Sequence, residues 1–330
     1  MNTTDTYSRF ALCREMMETA DVVRRFERRA VTEHLPQARK VMLSGEGSSR
    51  IFPAKRLISD ALRRGWDQTI VTEGATQAAE YDLDAFHVYV ASNSGKTAEG
   101  VRLLRSVRAA RTTGVVAYSG TPIATEADSA YVLGCGPEDA VAATKSVVEQ
   151  ALFYDEVFRQ ANDADPVDVG ALGDAIAAVL GQSVPDEIID AGVKAPVLYF
   201  GGRNDGVAEE LTLKTNEITR KRSDYLEGTY AVHGIEEVMS PDQLVILIDP
   251  FPEQEEKFRT VLVDGVGLSV VAVSSRQTTF PTMVIPDLGP LTPYLQLVAG
   301  WSILTEIGIG SGIDLDTPDR ARKVGNEFVG

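Results

Sequence analysis

Cysteine, histidine and lysine are all scarce in this 330-residue chain: two, three and nine residues, against 23 arginines. Cys13 and Cys135 are too few for a disulfide framework, and neither has a neighbouring Cys or His at metal-ligand spacing. No metal and no cofactor is expected. No apolar run approaches the ~20 residues that cross a bilayer, so no membrane partner is expected either. The start, Met1 to Arg9, lacks the apolar core of a signal peptide, and a cytoplasmic location is expected. The formal net charge is −16, which argues against nucleic acid, because neutralising phosphates takes clustered Lys and Arg. An anionic ligand then needs a local positive site that overrides the global field. A dinucleotide fingerprint is missing too. Gly45-Glu46-Gly47-Ser48-Ser49-Arg50 lacks the third glycine of G-x-G-x-x-G, and no convincing acidic ribose ligand follows the second strand.

What is present is a globular composition, 44% hydrophobic, over a length that fits about two domains. Tyr7 to Arg29 reads as an amphipathic helix, with Phe10, Leu12, Met16, Met17, Val22, Val23 and Phe26 at helical spacing. Strand and helix then alternate. Strands are expected at 41–43, 69–71, 87–91, 114–118 and 130–133, with helices at 51–64, 98–110 and 142–159. A β-α-β alternation of this kind implies a parallel, doubly wound sheet. After an Asp-, Ala- and Gly-rich stretch, 161–185, with part of a helix at 174–180, the plan repeats. Strands are expected at 196–200, 244–248 and 268–273, and helices at 208–222 and 295–309. The expected organisation is α/β: a helical segment 1–30, then two tandem doubly wound, flavodoxin-like domains, 31–165 and 166–330, the second ending in a polar tail.

Ser92-Asn93-Ser94-Gly95-Lys96-Thr97 is the most telling motif. It lies between the strand at 87–91 and a helical pattern that starts at Ala98. The N–H groups of such a turn are unpaired, the helix dipole is positive there, and three hydroxyls can donate, so it makes a phosphate seat. The plain alternative is that Ser94 or Thr97 only caps the helix.

With these motifs in place, the chain resembles the tandem-domain sugar-isomerase (SIS) proteins from Arg14-Glu15-Met16-Met17-Glu18 to Lys323. It is most similar to the isomerase half of glucosamine-6-phosphate synthase. Stand-alone amino-sugar-phosphate deaminases and fructosamine-6-phosphate deglycases are similar too. The resemblance implies that the first domain binds the sugar phosphate. Gly47, Ser48 and Ser49 look like the first-strand loop, with Ser49 near the substrate. Ser92, Asn93, Ser94 and Thr97 look like the phosphate donors, and Lys96 replaces a residue that is often acidic. Ala142 and Ala143 lie in a loop that usually offers a serine, at the position of Ala143.

Proton chemistry is implied for the second domain. Glu217, in Leu213-Lys214-Thr215-Asn216-Glu217-Ile218, and His233, sixteen residues on, match the catalytic Glu and His in spacing. Asn216 stands where a lysine is common. Lys323 falls where synthases keep a lysine that forms an imine with the ketose. Read without the resemblance, Glu217 is a surface carboxylate paired with Lys221, His233 an ordinary loop residue, and Lys323 part of a solvated basic tail. His34 and His87 read as structural.

Aldose–ketose interconversion needs a held phosphate, ring opening, a proton moved between C1 and C2, and stabilisation of the enediol or enolamine. His233, with an ordinary pKa near ~6.5, suits ring opening, and Glu217 suits the C1–C2 transfer. The resemblance further implies a homodimer in which His233 completes the neighbouring subunit's site. No glutaminase segment is expected ahead of this chain, which favours amine release over amino-sugar synthesis. The expected function is an isomerase acting on a 6-phosphorylated amino sugar with loss of ammonia. A fructosamine-6-phosphate deglycase is the alternative, and a non-catalytic sugar-phosphate sensor the alternative of another class.

Overall fold

The structure, a computed structural model, describes residues 5–322 and 326–328. The chain divides into two compact units. The first gathers Glu18–Asp139, Ala143–Gly173 and Ala321–Gly330, and the second Met1–Met17, Ala140–Ala142 and Asp174–Arg320.

The first unit holds a sheet of β1 (Lys40–Gly45), β2 (Thr69–Glu73), β3 (Phe86–Ser92), β4 (Arg111–Val116) and β5 (Ser129–Val132). All pair in parallel, in the order β2-β1-β3-β4-β5. The central strands are buried almost throughout, as strands covered on both faces must be. Their side chains alternate between two apolar layers. Val41, Leu43, Tyr89 and Ala91 pack with Leu57, Phe153 and Val157 on one face. Met42, Val88 and Val90 pack with Val101, Leu103 and Ile123 on the other.

The second unit repeats the plan. Here β6 (Val197–Gly202), β7 (Arg222–Glu227), β8 (Leu244–Ile248), β9 (Ser269–Ser274) and β10 (Thr282–Val284) run in the order β10-β9-β8-β6-β7, again all parallel. In both sheets the winding reverses between the first and third strands, β1 and β3 or β6 and β8. The crevice beyond the carboxyl ends there is the usual ligand position of an open α/β sheet.

Several boundaries differ from the sequence reading. The N-terminal helix is two pieces, Asp5–Ser8 and Ala11–Arg24. The second restarts because the Asp316 carboxylate accepts from the N–H groups of Ala11 (2.6 Å) and Leu12 (3.0 Å) and so caps it. The helix expected to reach Ala110 ends at Ser106. Val107 is extended, and the Ala110 N–H donates to Phe86 O as the chain crosses to β4. The helix expected at 208–222 ends at Thr219, where Arg220 turns left-handed (φ 58°) and Arg222 opens β7. β7 and β10 lie on sheet edges and carry too few buried side chains to show as apolar runs. The helix Asp186–Lys194 was likewise hidden.

Candidate functional site

The motif Ser92–Thr97 connects the end of β3 to the helix Ala98–Ser106, beside the first-strand loop. Gly45, the last residue of β1, pairs with Ala91, and a Cβ on it would lie 2.8 Å from Ala91 O. The chain thus enters the Gly47–Ser49 turn beside the strand end that leads into the β3 loop. Gly47 turns left-handed (φ 52°), and Ser48 and Ser49 are half-buried in the short 3-10 turn that follows.

Inside the loop, Gly95 adopts φ 66°, and a Cβ there would lie 2.1 Å from Thr121 Oγ1. Only glycine fits. The buried Ser92 Oγ accepts from Gly95 N–H at 3.1 Å and lies 2.8 Å from Thr97 Oγ1. Ser94 Oγ accepts from Lys96 N–H at 3.2 Å. A hydroxyl that already accepts keeps its own proton to give. Ser94 can therefore donate outwards, and Thr97 can too when Ser92 donates to it. Thr97 is the N-cap residue, yet its side chain makes no capping bond, which sets aside the plain capping reading for this residue. The first-turn N–H groups have no intrahelical acceptors. Asn326 O takes that of Ala98 (2.9 Å).

Asn93 is tied into the surrounding fold. Its Nδ2 donates to Glu138 Oε2 at 3.2 Å, and its carbonyl accepts from Ala117 N–H. Glu138, 5% exposed, also accepts from Thr144 N–H (2.9 Å), Thr144 Oγ1 (3.3 Å), and the N–H and hydroxyl of Ser146. One buried carboxylate thus ties the β3 loop to the start of the helix Lys145–Ala161. Sequence reading missed Glu138, since no motif links residues 45 positions apart. Ala143 lies one residue before Thr144 in this turn and offers only a methyl group; Ala142 falls in the second unit.

The described tail residues also belong here. They were expected with the second domain, but an antiparallel bridge pairs Thr97 with Glu327, and Lys96 Nζ lies 3.0 Å from Glu327 Oε1. Main-chain bonding to the loop, not chain order, decides where this segment docks.

In the second unit, Glu217 sits late in the helix Val207–Thr219. It does not pair with Lys221, whose Nζ donates to the carbonyls of Val193 (3.0 Å) and Ala195 (2.7 Å). Its partner is Lys214, at 2.9 Å, a fully buried ammonium that also lies 3.3 Å from the buried Glu210. Burial alone would lower the Lys214 pKa; the two carboxylates outweigh it and hold the group above its ordinary value. Glu217 keeps 21% of its side chain exposed. His233 is exposed, ends the 3-10 turn Tyr230–Val232, and precedes Gly234 at φ 112°. Among the described residues its ring makes no hydrogen bond, to Glu217 or any other group. Lys323 lies outside the described residues.

The crevice edge of the second sheet is stapled by its own ion pair. Arg203, after β6, donates to Asp249 O and Oδ2 (2.7 Å) after β8, and Ser274 Oγ donates to Asp249 Oδ1 (3.0 Å). Phe251 covers the guanidinium at 4.3 Å. Among the described residues the hydroxyl seat of the first unit has no counterpart there.

No family model matches the chain. It is 29% identical over 275 residues to the glutamine–fructose-6-phosphate aminotransferase (isomerizing) of Halobacterium salinarum, covering 74% of this chain and 46% of that one. The enzyme of the same name from Clostridium perfringens is 28% identical over 265 residues, 72% of this chain and 43% of that one. The chain thus spans somewhat under half the length of the curated relatives it matches. Among solved structures, the C-terminal domain of the Francisella tularensis glucosamine–fructose-6-phosphate aminotransferase superposes with TM-score 0.74 at 16% identity, covering 96% of this chain and 100% of that one.

The fold is the tandem sugar-isomerase (SIS) fold. Other SIS structures agree: Escherichia coli tagatose-6-phosphate ketose/aldose isomerase, TM-score 0.79, 16% identity, covers 97% and 100% of the two chains. Glucosamine-6-phosphate deaminase from Thermotoga maritima, TM-score 0.73, 19% identity, covers 95% and 99%. The resemblance read from the motifs holds in both sequence and fold, and the sequence relatives are enzymes of sugar-phosphate metabolism. Among the described residues no helix is long and apolar enough to cross a membrane, and no cluster of three or more His, Cys, Asp or Glu is arranged to hold a metal ion.

Proposed function

We propose that this chain is a phosphosugar isomerase acting on a 6-phosphorylated amino sugar, with release of ammonia. The observation that carries the reading is the Ser92–Thr97 loop at the β1/β3 switch point, where the Ser94 hydroxyl can donate outwards and that of Thr97 can too when Ser92 donates to it. Each such contact to a charged oxygen contributes about 1.5–3 kcal/mol, enough for the phosphate to position the reacting carbons. Fold alone would not support this, since one fold hosts many chemistries. The names of the relatives favour sugar 6-phosphates as the substrate class.

In the proposed reaction, His233 protonates the ring oxygen and accepts the C1 hydroxyl proton, which opens the sugar. Glu217 removes the C2 proton as O1 is protonated, giving an enolamine, and after exchange with solvent a proton passes from Glu217 to C1. The resulting C2 imine adds water and loses ammonia, leaving the ketose phosphate. The Lys214 ammonium, 2.9 Å from Glu217, fixes the orientation of that carboxylate. His233 acts on the site of a second subunit in a homodimer, in keeping with its exposed ring, which makes no hydrogen bond among the described residues. Lys323 is assigned imine formation with the ketose on the resemblance alone. The Ala143 methyl leaves one sugar hydroxyl without the serine contact common in relatives, which bears on the epimer accepted.

The test is a panel of sugar 6-phosphates with and without amine substituents, read for ketose formation and for ammonia or amino acid release. Ammonia from an amino-sugar phosphate is the expected result. Amino acid release from a fructosamine 6-phosphate would replace this reading with the deglycase, and binding without turnover on the whole panel would replace it with a sensor.

A further inference from the structure

Lys96 is the only cation in the loop Ser92–Thr97, and it is already engaged. Its Nζ lies 3.0 Å from Glu327 Oε1, with each side chain 49% exposed. The segment that carries Glu327 is docked by other means. Ala98 N–H donates to Asn326 O and Phe328 N–H donates to Lys96 O, both at 2.9 Å. Asn326 Nδ2 donates to Glu99 Oε1 at 2.7 Å. Phe328 packs on the apolar layer of Val88, Val90 and Val101, with the Arg105 guanidinium 4.3 Å above its ring. The ion pair is therefore not what holds the segment down. It instead places a carboxylate opposite Thr97, at the helix N-terminus that the proposed function reserves for a phosphate dianion.

A phosphate ester brings about two negative charges to the loop and the carboxylate brings one. At equal separation the dianion attracts Lys96 more strongly, and the flexible lysine stem can turn from one to the other. Glu327 and the dianion also repel each other. We propose that Lys96 is a phosphate-affinity residue of this site and that Glu327 is its internal competitor. Binding of a phosphate ester draws Lys96 away from Glu327, while the main-chain bonds of residues 326–328 stay in place. This inference rests on the phosphate reading of the loop.

The experiment is a double-mutant cycle of Glu327→Gln and Lys96→Gln, with glucosamine 6-phosphate and inorganic phosphate titrated calorimetrically at low salt. Ser94→Ala/Thr97→Ala serves as the loop control. An exposed ion pair of this kind is worth a few tenths to about 1 kcal/mol, so E327Q should bind about 2–5-fold more tightly than the parent. The gain should shrink in the Lys96→Gln background, to the part that comes from removing the Glu327–dianion repulsion, and should fall as salt is raised. Melting temperatures within a few degrees of the parent would show that the tail stays docked. An unchanged or weaker affinity in E327Q, or the same gain without Lys96, overturns the competition while leaving the phosphate loop standing. Absence of binding in the parent, or binding that survives the loop control, removes the phosphate reading and this inference with it.

Discussion

Gly95 shows how much of the site rests on a single residue. Its φ of 66° is costly for any side chain, and the Cβ would collide with Thr121 Oγ1. Replacing Gly95 with Ala should lower unfolding free energy by about 1–3 kcal/mol and weaken sugar-phosphate binding at least tenfold, measured by urea denaturation and titration. Retained affinity would mean the loop does not hold the ligand. The hydroxyls of Ser92, Ser94 and Thr97 were legible in the sequence because they are local to one strand–helix junction. The bond from the Asn93 amide to Glu138 was not legible, because only the tertiary fold brings the two near. Glu217 was weighed against a surface pair with Lys221. The structure gives it Lys214 instead, three residues away on the same helix, a spacing equally compatible with the sequence.

Helix packing sets where Glu217 stands. The helix Val207–Thr219 lies against Thr292–Gly310, and a Cβ on Gly300 would come within 2.4 Å of Leu211. On Gly308 it would come within 3.0 Å of Ile218 O. Gly300→Val must push the two helices apart, at a cost of about 1–3 kcal/mol. It should lower kcat more than phosphate affinity, because the loop lies in the other sheet. Equal losses in both would contradict that division of labour. The first sheet carries its own pH sensitivity. The buried His87 accepts from Gln37 N–H through Nδ1 (3.1 Å) and meets Thr113 Oγ1 through Nε2 (2.8 Å). Burial, then the nearby Arg111 and His34, hold its pKa down at about 4. An unfolded histidine titrates near ~6.5, so the contribution of the neutral ring is full above that pH and is lost as pH falls towards 4. On the order of 3 kcal/mol is at stake. Urea midpoints should fall between pH 7 and 4.5, and less steeply in His87→Asn; parallel curves would exclude His87 as the cause. Alternating central strands and the long helices were legible from periodicity. The edge strands β7 and β10 were not, because strands half open to water carry no apolar run.

The two units share one strand order but not one chemistry. In the first, the switch point presents donor hydroxyls; in the second, Arg203 and Asp249 close on each other. The repeat was visible in the Gly-rich turns after β1 and β6, whereas this divergence depends on an ion pair between residues 46 apart in sequence. If His233 serves a neighbouring subunit, mixing inactive Glu217→Gln and His233→Ala proteins should restore about a quarter of parental activity per dimer after random subunit exchange, since half the dimers are mixed and each holds one intact site. No recovery, with exchange verified, would argue against a shared site.

The central proposal is that this chain holds a sugar phosphate through the β3 loop and uses Glu217 for proton transfer between C1 and C2. Its most direct test is NMR of glucosamine 6-phosphate in D2O with the parent protein and Glu217→Gln. The account predicts solvent deuterium at C1 of the ketose product and exchange at C2 of the remaining substrate with the parent. With the variant it predicts unchanged binding and no exchange. Exchange at the parental rate in Glu217→Gln, or binding without any exchange in the parent, would contradict it.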